Sequence, residues 1–264
     1  MQPAGPETPM PATAQPDSAA HTADLAALRA EIDELDNALH DLLMRRAEVV
    51  ARLAASRTKG NGPAIRPGRE AAILRRLLDR HAGPLPRAAL VRLWRELLEA
   101  MTTMQAPLSV AAWLPDAGIE VLRAHLGLGA PVSRFGHEAQ ALAAHAEGRT
   151  ALVALPAAGR WWRTHFSSTL AVTARLPFFG PTDTTVFLLS PTPPDPSGDD
   201  RTLVRLPAGR AEAALAEAGL DATVIRREEG LLLVELPGMI APGDVRLASV
   251  GASVLGSYAT PVTA

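Results

Sequence analysis

The stretch DLAALRAEIDELDNALHDLLMRRAEVVARLAASR, residues 24–57, reads as one long helix. Leu25, Leu28, Ile32, Leu35, Leu39, Leu42, Val49 and Leu53 recur at alternating spacings of three and four. That period is the seam of a helix packed along its whole length on other helices. Arg46 interrupts the seam between Leu42 and Val49. Arg29 and Arg57 flank it, in the register that also holds Asp36, Leu43 and Val50. Thr22 or Asp24 can cap the helix, and Glu31, Asp33, Glu34 and Asp36 crowd its first half, where the helix dipole favours acids. At 1.5 Å per residue the helix is roughly 50 Å long, more than a small domain can cover, so it is expected to span a dimer.

Working outward, residues 1–21 are rich in Pro, Ala, Thr and Ser and read as a disordered leader without the basic and apolar segments of a secretion signal. After the helix, 58–68 (TKGNGPAIRPG) is a loop. A shorter helix follows over 69–81 with Ile73, Leu74, Leu77 and Leu78 inward, and a third over 87–105 with Leu90, Trp94, Leu97, Leu98, Met101 and Met104 on its apolar face. These helices define a three-helix, all-α unit at 22–106.

Beyond Pro107 the period changes. Strands at 109–114, 131–135 and 151–155 alternate with helices at 119–128 and 137–147, a βαβαβ order that predicts a parallel α/β lobe. Further strands at 170–175 and 185–189 complete this lobe, 107–190. The Pro-rich PTPPDPSGDD, 191–200, reads as a linker. The remainder, 201–264, reads as βαββαβ, the ferredoxin-like plan.

Composition narrows the function classes. The chain has 264 residues, 47% hydrophobic, with net charge −2 and no cysteine. Bulk charge gives no reason to expect nucleic acid as a partner. Disulfides and thiolate metal sites are excluded, which fits a reducing, cytoplasmic setting. No apolar run approaches the ~20 residues of a membrane span, so no membrane partner is expected. His81, His137 and His145 lack ligand spacing, and no Ser-His-Asp set or phosphate-cradling Gly loop is present, so neither metal nor cofactor is implied.

The cations in the seam are the candidate chemistry. Arg46 and Arg57 share a face roughly 16 Å apart, while Arg29 lies another ~25 Å back. A sugar-sized anion reaches all three only if an antiparallel partner helix supplies Arg29, or if Arg57 and the loop fold back over Arg46. Arg69-Glu70 at the start of the second helix and Gln105 at the end of the third are further polar groups. Plainer readings stand beside these. Arg29 can pair with Asp33 or Asp36, Arg57 and Glu70 suit the dipole ends of their helices, Arg46 can pair with an acid, and Gln105 can simply finish a helix.

Leu28-Arg29-x-x-Ile32-Asp33-x-Leu35-Asp36, then Leu42-Leu43-x-Arg45-Arg46, then Arg69-Glu70 and Gln105, resembles the all-helical chorismate mutase family. The resemblance implies an intertwined helical homodimer with a shared active site. It also implies an isomerase that rearranges chorismate to prephenate in phenylalanine and tyrosine biosynthesis, without cofactor. By position, Arg29 would reach a substrate carboxylate in the partner's site, and Arg46 would hold the other carboxylate in its own. Arg57 falls where the family has a Lys that bonds the ether oxygen, with Lys59 as a competitor. Glu70, assisted by Arg69, would bind the ring hydroxyl, and Gln105 would donate to the ether oxygen. Arg66 stands where the family often has an acid, and Met101 where a small polar residue is common. More faintly, AHAEGRTALVALP (144–156) and Thr185-Val186-Phe187 resemble the dehydratase part of the bifunctional chorismate mutase–prephenate dehydratase, and Leu255-Gly256-Ser257-Tyr258 its ACT end. Val186 replaces an expected Arg, and Ala157-Ala158 replace expected polar residues, so the lobe is expected to lack dehydratase activity. The alternatives are a working second site, giving a bifunctional enzyme, or a non-catalytic amino-acid-sensing dimer.

Overall fold

The structure is a computed structural model that describes residues 17–57, 65–164, 169–181, 183–209 and 211–263. Two compact units result, Met1–Arg52 and Leu53–Ala264. The first contains most of helix α1 (Asp17–Arg57). Its residues 17–21 are helical, so the expected leader is shortened; residues 1–16 lie outside the described residues. The helix therefore starts well before Thr22 and Asp24, and neither is its cap. All eight apolar seam residues are exposed, from 40% at Leu25 to 62% at Leu35. Most helical stability comes from burying such a stripe, and the helix does not bury this one within its own unit.

The second unit holds α2 (Pro67–Asp79), α3 (Arg87–Thr103) and everything after them. This division differs from the expected grouping at 22–106. The apolar faces of α2 and α3 supply the reason: Ala71, Leu74 and Leu98 form one cluster with Phe178 and Ala259 from the C-terminal half.

Among the described residues the sheet has nine strands, in the order β2-β1-β3-β5-β4-β9-β6-β8-β7. In chain order they are β1 (Val110–Ala112), β2 (Val132–Arg134), β3 (Leu152–Pro156), β4 (Ala171–Leu176), β5 (Val186–Ser190), β6 (Asp200–Pro207), β7 (Thr223–Glu228), β8 (Leu231–Pro237) and β9 (Ser253–Ala259). Strands β2, β1 and β3 are parallel, as the βαβαβ order predicts. Helix α4 (Asp116–Leu126) covers one face and α5 (Glu138–Ala146) the other, so Val110 and Ala112 pack with Leu122 while Ala111 packs with Ala141. A strand covered on both faces reads as a continuous apolar run. The lobe is not wholly parallel, because β5 runs antiparallel to both β3 and β4.

Residues 200–259 follow the ferredoxin-like plan. Strands β9-β6-β8-β7 are all antiparallel, and α6 (Ala211–Glu217) and α7 (Val245–Ser249) share one core with them through Leu215 and Leu247. This unit and the lobe form one sheet, joined where Val172 of β4 pairs with Gly256 of β9. The approach requires glycine: φ at Gly256 is 151°, and a Cβ there would stand 2.1 Å from the Val172 carbonyl oxygen.

The expected linker at 191–200 is instead bonded to α2. That helix has no side-chain cap of its own at Arg66, and Pro67 opens it. Asp195 takes the capping role from a distance: its carboxylate accepts from Gly68 N–H at 2.9 Å and Arg69 N–H at 3.1 Å, and pairs with Arg66 at 3.3 Å. Gly68 is needed there because a Cβ would lie 2.0 Å from the Asp195 carbonyl oxygen. Arg75 completes the attachment, donating to Ser197 Oγ at 2.8 Å and to the carbonyls of Asp199 and Thr260 at 2.8 and 2.6 Å. Asp195→Ala leaves two helix-end N–H groups without their acceptor and is expected to cost about 1–2 kcal/mol, read as a lowered midpoint in urea unfolding.

Candidate active site

The first unit carries Arg29 and Arg46. Arg29 is exposed, and among the described residues it forms no ion pair, so the pairing with Asp33 or Asp36 on its own helix is not made. Arg46 is half-buried on a stripe with Leu43, Ala47 and Val50. Its Nη1 is shielded from solvent and has no hydrogen-bond partner among the described residues. Burial lowers its pKa below the ordinary guanidinium value, with no carboxylate to offset the loss of hydration. An arginine in that state stays charged at neutral pH and keeps its planar fork of donors free for an anion. Arg57 is the last residue of α1; its side chain, and Lys59 altogether, lie outside the described residues.

The second unit carries Arg69, Glu70 and Gln105. Arg69 is exposed in the first turn of α2. Glu70 turns inward to Arg95 of α3, with 3.1 Å between Oε2 and Nη1. Arg95 has only 5% of its side chain exposed and lies over the Phe178 ring, 5.3 Å from its centre. Burial raises the Glu70 pKa, and Arg95 opposes the rise without cancelling it. Burial likewise brings Arg95 down to about 10, against the attraction of Glu70. His125 of α4 is half-buried and shares a cavity with the pair, with Nδ1 shielded and lacking a partner among the described residues and its pKa held well below normal by burial and by the Arg95 charge. The cavity shared by Glu70, Arg95, Thr102 and His125 is about 20 Å³, room for little more than one water. Arg66 pairs with Asp195.

Gln105 donates from Nε2 to the Met101 carbonyl at 2.9 Å, so its amide closes the end of its own helix. The sequence reading missed Arg95, Asp195 and His125. For Arg95 a signal existed: Val91, Arg95, Leu98 and Thr102 are all buried and follow the same spacing of three and four as an apolar stripe. For Asp195 there was none, since its partners Gly68 and Arg69 are about as far away in sequence as a domain is long.

In the lobe, Val186 is fully buried in the apolar core and Phe187 packs against Trp161 and Tyr258. Ala157 donates its backbone N–H to the Thr185 carbonyl. Among the described residues no group of three His, Asp or Glu is placed to hold a metal ion, and no helix is long and apolar enough to cross a membrane.

Residues 28–106 match the family "Chorismate mutase type II". The bifunctional chorismate mutase/prephenate dehydratase of Neisseria gonorrhoeae is 34% identical over 115 residues, covering 44% of this chain and 29% of that one. The protein of the same name from Pseudomonas aeruginosa is 36% identical over 97 residues, covering 35% and 27%. The match thus spans less than a third of the length of these curated relatives. Among solved structures, prephenate dehydratase in complex with L-Phe from Arthrobacter aurescens is similar at 12% identity and a TM-score of 0.44, covering 58% of this chain and 90% of that one. The ordered set of Arg29, Arg46, Arg69, Glu70 and Gln105 falls within the matched span, so residues 28–106 are similar to the chorismate mutase type II family.

Proposed function

We propose that the chain is a homodimeric chorismate mutase that rearranges chorismate to prephenate, and that its C-terminal region has no dehydratase activity. The observation that carries this reading is Arg46: a half-buried guanidinium without an acid partner among the described residues, within a family-matched span. The exposed seam of α1 supports the dimer, since each leucine withdrawn from water stabilises the assembly by about 1.5–3 kcal/mol. A second copy offers the same seam, and an antiparallel pairing brings Arg29 of one chain toward Arg46 of the other.

The reaction needs no base or nucleophile, because bond making and bond breaking are concerted. The protein has to hold a flexible dianion in its reactive conformer and stabilise the charge that develops at the breaking C–O bond. Arg29 and Arg46 take one carboxylate each. Arg57 donates to the ether oxygen, aided by Gln105 once its amide leaves Met101. Glu70, held by Arg95 and flanked by Arg69, accepts from the ring hydroxyl. The lobe lacks the means for the next step, because the position of the expected Arg is a valine sealed in the core. A cytoplasmic setting suits a chain without cysteine.

Purified full chain incubated with chorismate is expected to give prephenate and no phenylpyruvate, with products separated by chromatography. Phenylpyruvate would overturn the reading of the C-terminal region, and absence of turnover would overturn the mutase.

A further inference from the structure

The ferredoxin-like strands bury one face against α6 and α7, through Val204, Leu206, Val234 and Leu236. Alternation puts Arg201 and Glu235 on the opposite face. Strand register then gathers a polar group there. Arg201 stands opposite Tyr258 across β6 and β9, and Thr223 stands opposite Glu235 across β7 and β8. The Glu235 side chain is only 8% exposed, and its Oε1 accepts from Tyr258 Oη at 2.5 Å and from Arg175 Nη1 of β4 at 2.9 Å. Burial, and then the Glu235 charge, hold the Tyr258 pKa well above its ordinary value, so the phenol remains a donor.

The charges do not balance. Glu235 is matched by Arg175, and Tyr258 is neutral. Arg201 remains, half-buried, near enough to Tyr258 to affect its ionisation, and without an ion pair among the described residues. Arg175, Arg201 and Glu235 line a cavity of about 310 Å³, together with Thr185, Thr223, Pro177 and Pro261. That volume lies at the lower end for small-molecule sites, which combine apolar walls with a few convergent polar groups. One surplus guanidinium fits one anionic charge, and a planar fork fits a carboxylate. The fixed Glu235 carboxylate opposes a second negative charge on the same ligand.

We infer that this cavity binds a small organic monocarboxylate, with Arg201 taking the carboxylate, Thr223 a further polar contact, and the two prolines the apolar body. The site lies wholly in the second unit and is independent of the mutase reading.

Titration of the full chain with benzoate tests it, with inorganic phosphate as the comparison anion. Benzoate is expected to bind saturably below about 10 mM. Phosphate is expected to bind at least about tenfold more weakly, and Arg201→Gln to weaken benzoate at least about tenfold. In the unaltered chain, benzoate is expected to shift the Nε–H resonance of Arg201, a readout that stands even if the variant does not fold. Arg46→Ala separates this site from the mutase and is expected to leave the Arg201 shift in place. Absence of saturable binding, unchanged binding by Arg201→Gln, phosphate binding as tight as benzoate, or an Arg201 resonance that does not move would each overturn the inference.

Discussion

Arg46→Ala is expected to lower kcat/KM for chorismate at least about a hundredfold, the loss seen when a single preorganised donor is removed from a charge-stabilising site. The proposed dimer should persist, because the apolar seam on either side of position 46 is untouched. Removing a half-buried cation that has no acid partner among the described residues should also leave stability unchanged or raise it. Activity and stability therefore move independently, which distinguishes a ligand-holding arginine from a structural one. Arg46→Lys keeps the charge but not the two-pronged geometry, and an intermediate loss is expected. Steady-state kinetics, sedimentation analysis and urea unfolding read activity, assembly and stability in turn. Turnover within about threefold of the unaltered chain would place the carboxylate elsewhere.

Arg95→Ala is expected to destabilise the second unit by about 3 kcal/mol, because it leaves the largely shielded Glu70 carboxylate without its partner. The double change Glu70→Leu with Arg95→Met is expected to recover that loss. Burial is the first cause of the shift at both residues, so the attraction across 3.1 Å does not offset the lost hydration. The pH dependence has a definite sign. The Glu70 pKa in the fold lies above the ordinary 4.5, so the folded state holds the proton longer than the unfolded state. Its contribution is fully present below 4.5 and is lost as pH rises through the folded value. Arg95→Ala removes the cation that opposes this rise, so the loss should extend to higher pH. The double variant should show no such dependence, and it should lack mutase activity if Glu70 binds the ring hydroxyl. Urea midpoints across a pH series, with chorismate turnover alongside, measure both effects.

What the sequence made legible was local. The spacing from Leu25 to Leu53 marked α1, and the alternation of strands and helices after Pro107 gave the lobe and the βαββαβ order within a few residues. What the sequence hid was long-range. Five prolines and glycines in 191–200 read as a linker, yet Asp195 and the backbone around it cap and bind a helix far back in the chain. Composition reports the backbone freedom of a segment, not what its carboxylates reach. The Val172–Gly256 pairing was invisible for the same reason, as periodicity predicts strands and says little about which strands become neighbours. Arg95 was hidden differently. A charge on an apolar stripe reads as an edge position, and only the fold shows that it points at Glu70.

Strand β9 occupies the sixth place of nine in the sheet although it is the last strand in sequence. While the chain is being made, β4 and β6 each present an open row of backbone donors and acceptors until residues 253–259 emerge. Those two rows are the hazard for this chain, since unpaired edges template association with other copies. Chains cut short of Ser253 should therefore aggregate rather than form a smaller soluble protein. The folding of the whole second unit is a closing step, set by the arrival of one strand with a glycine at its join.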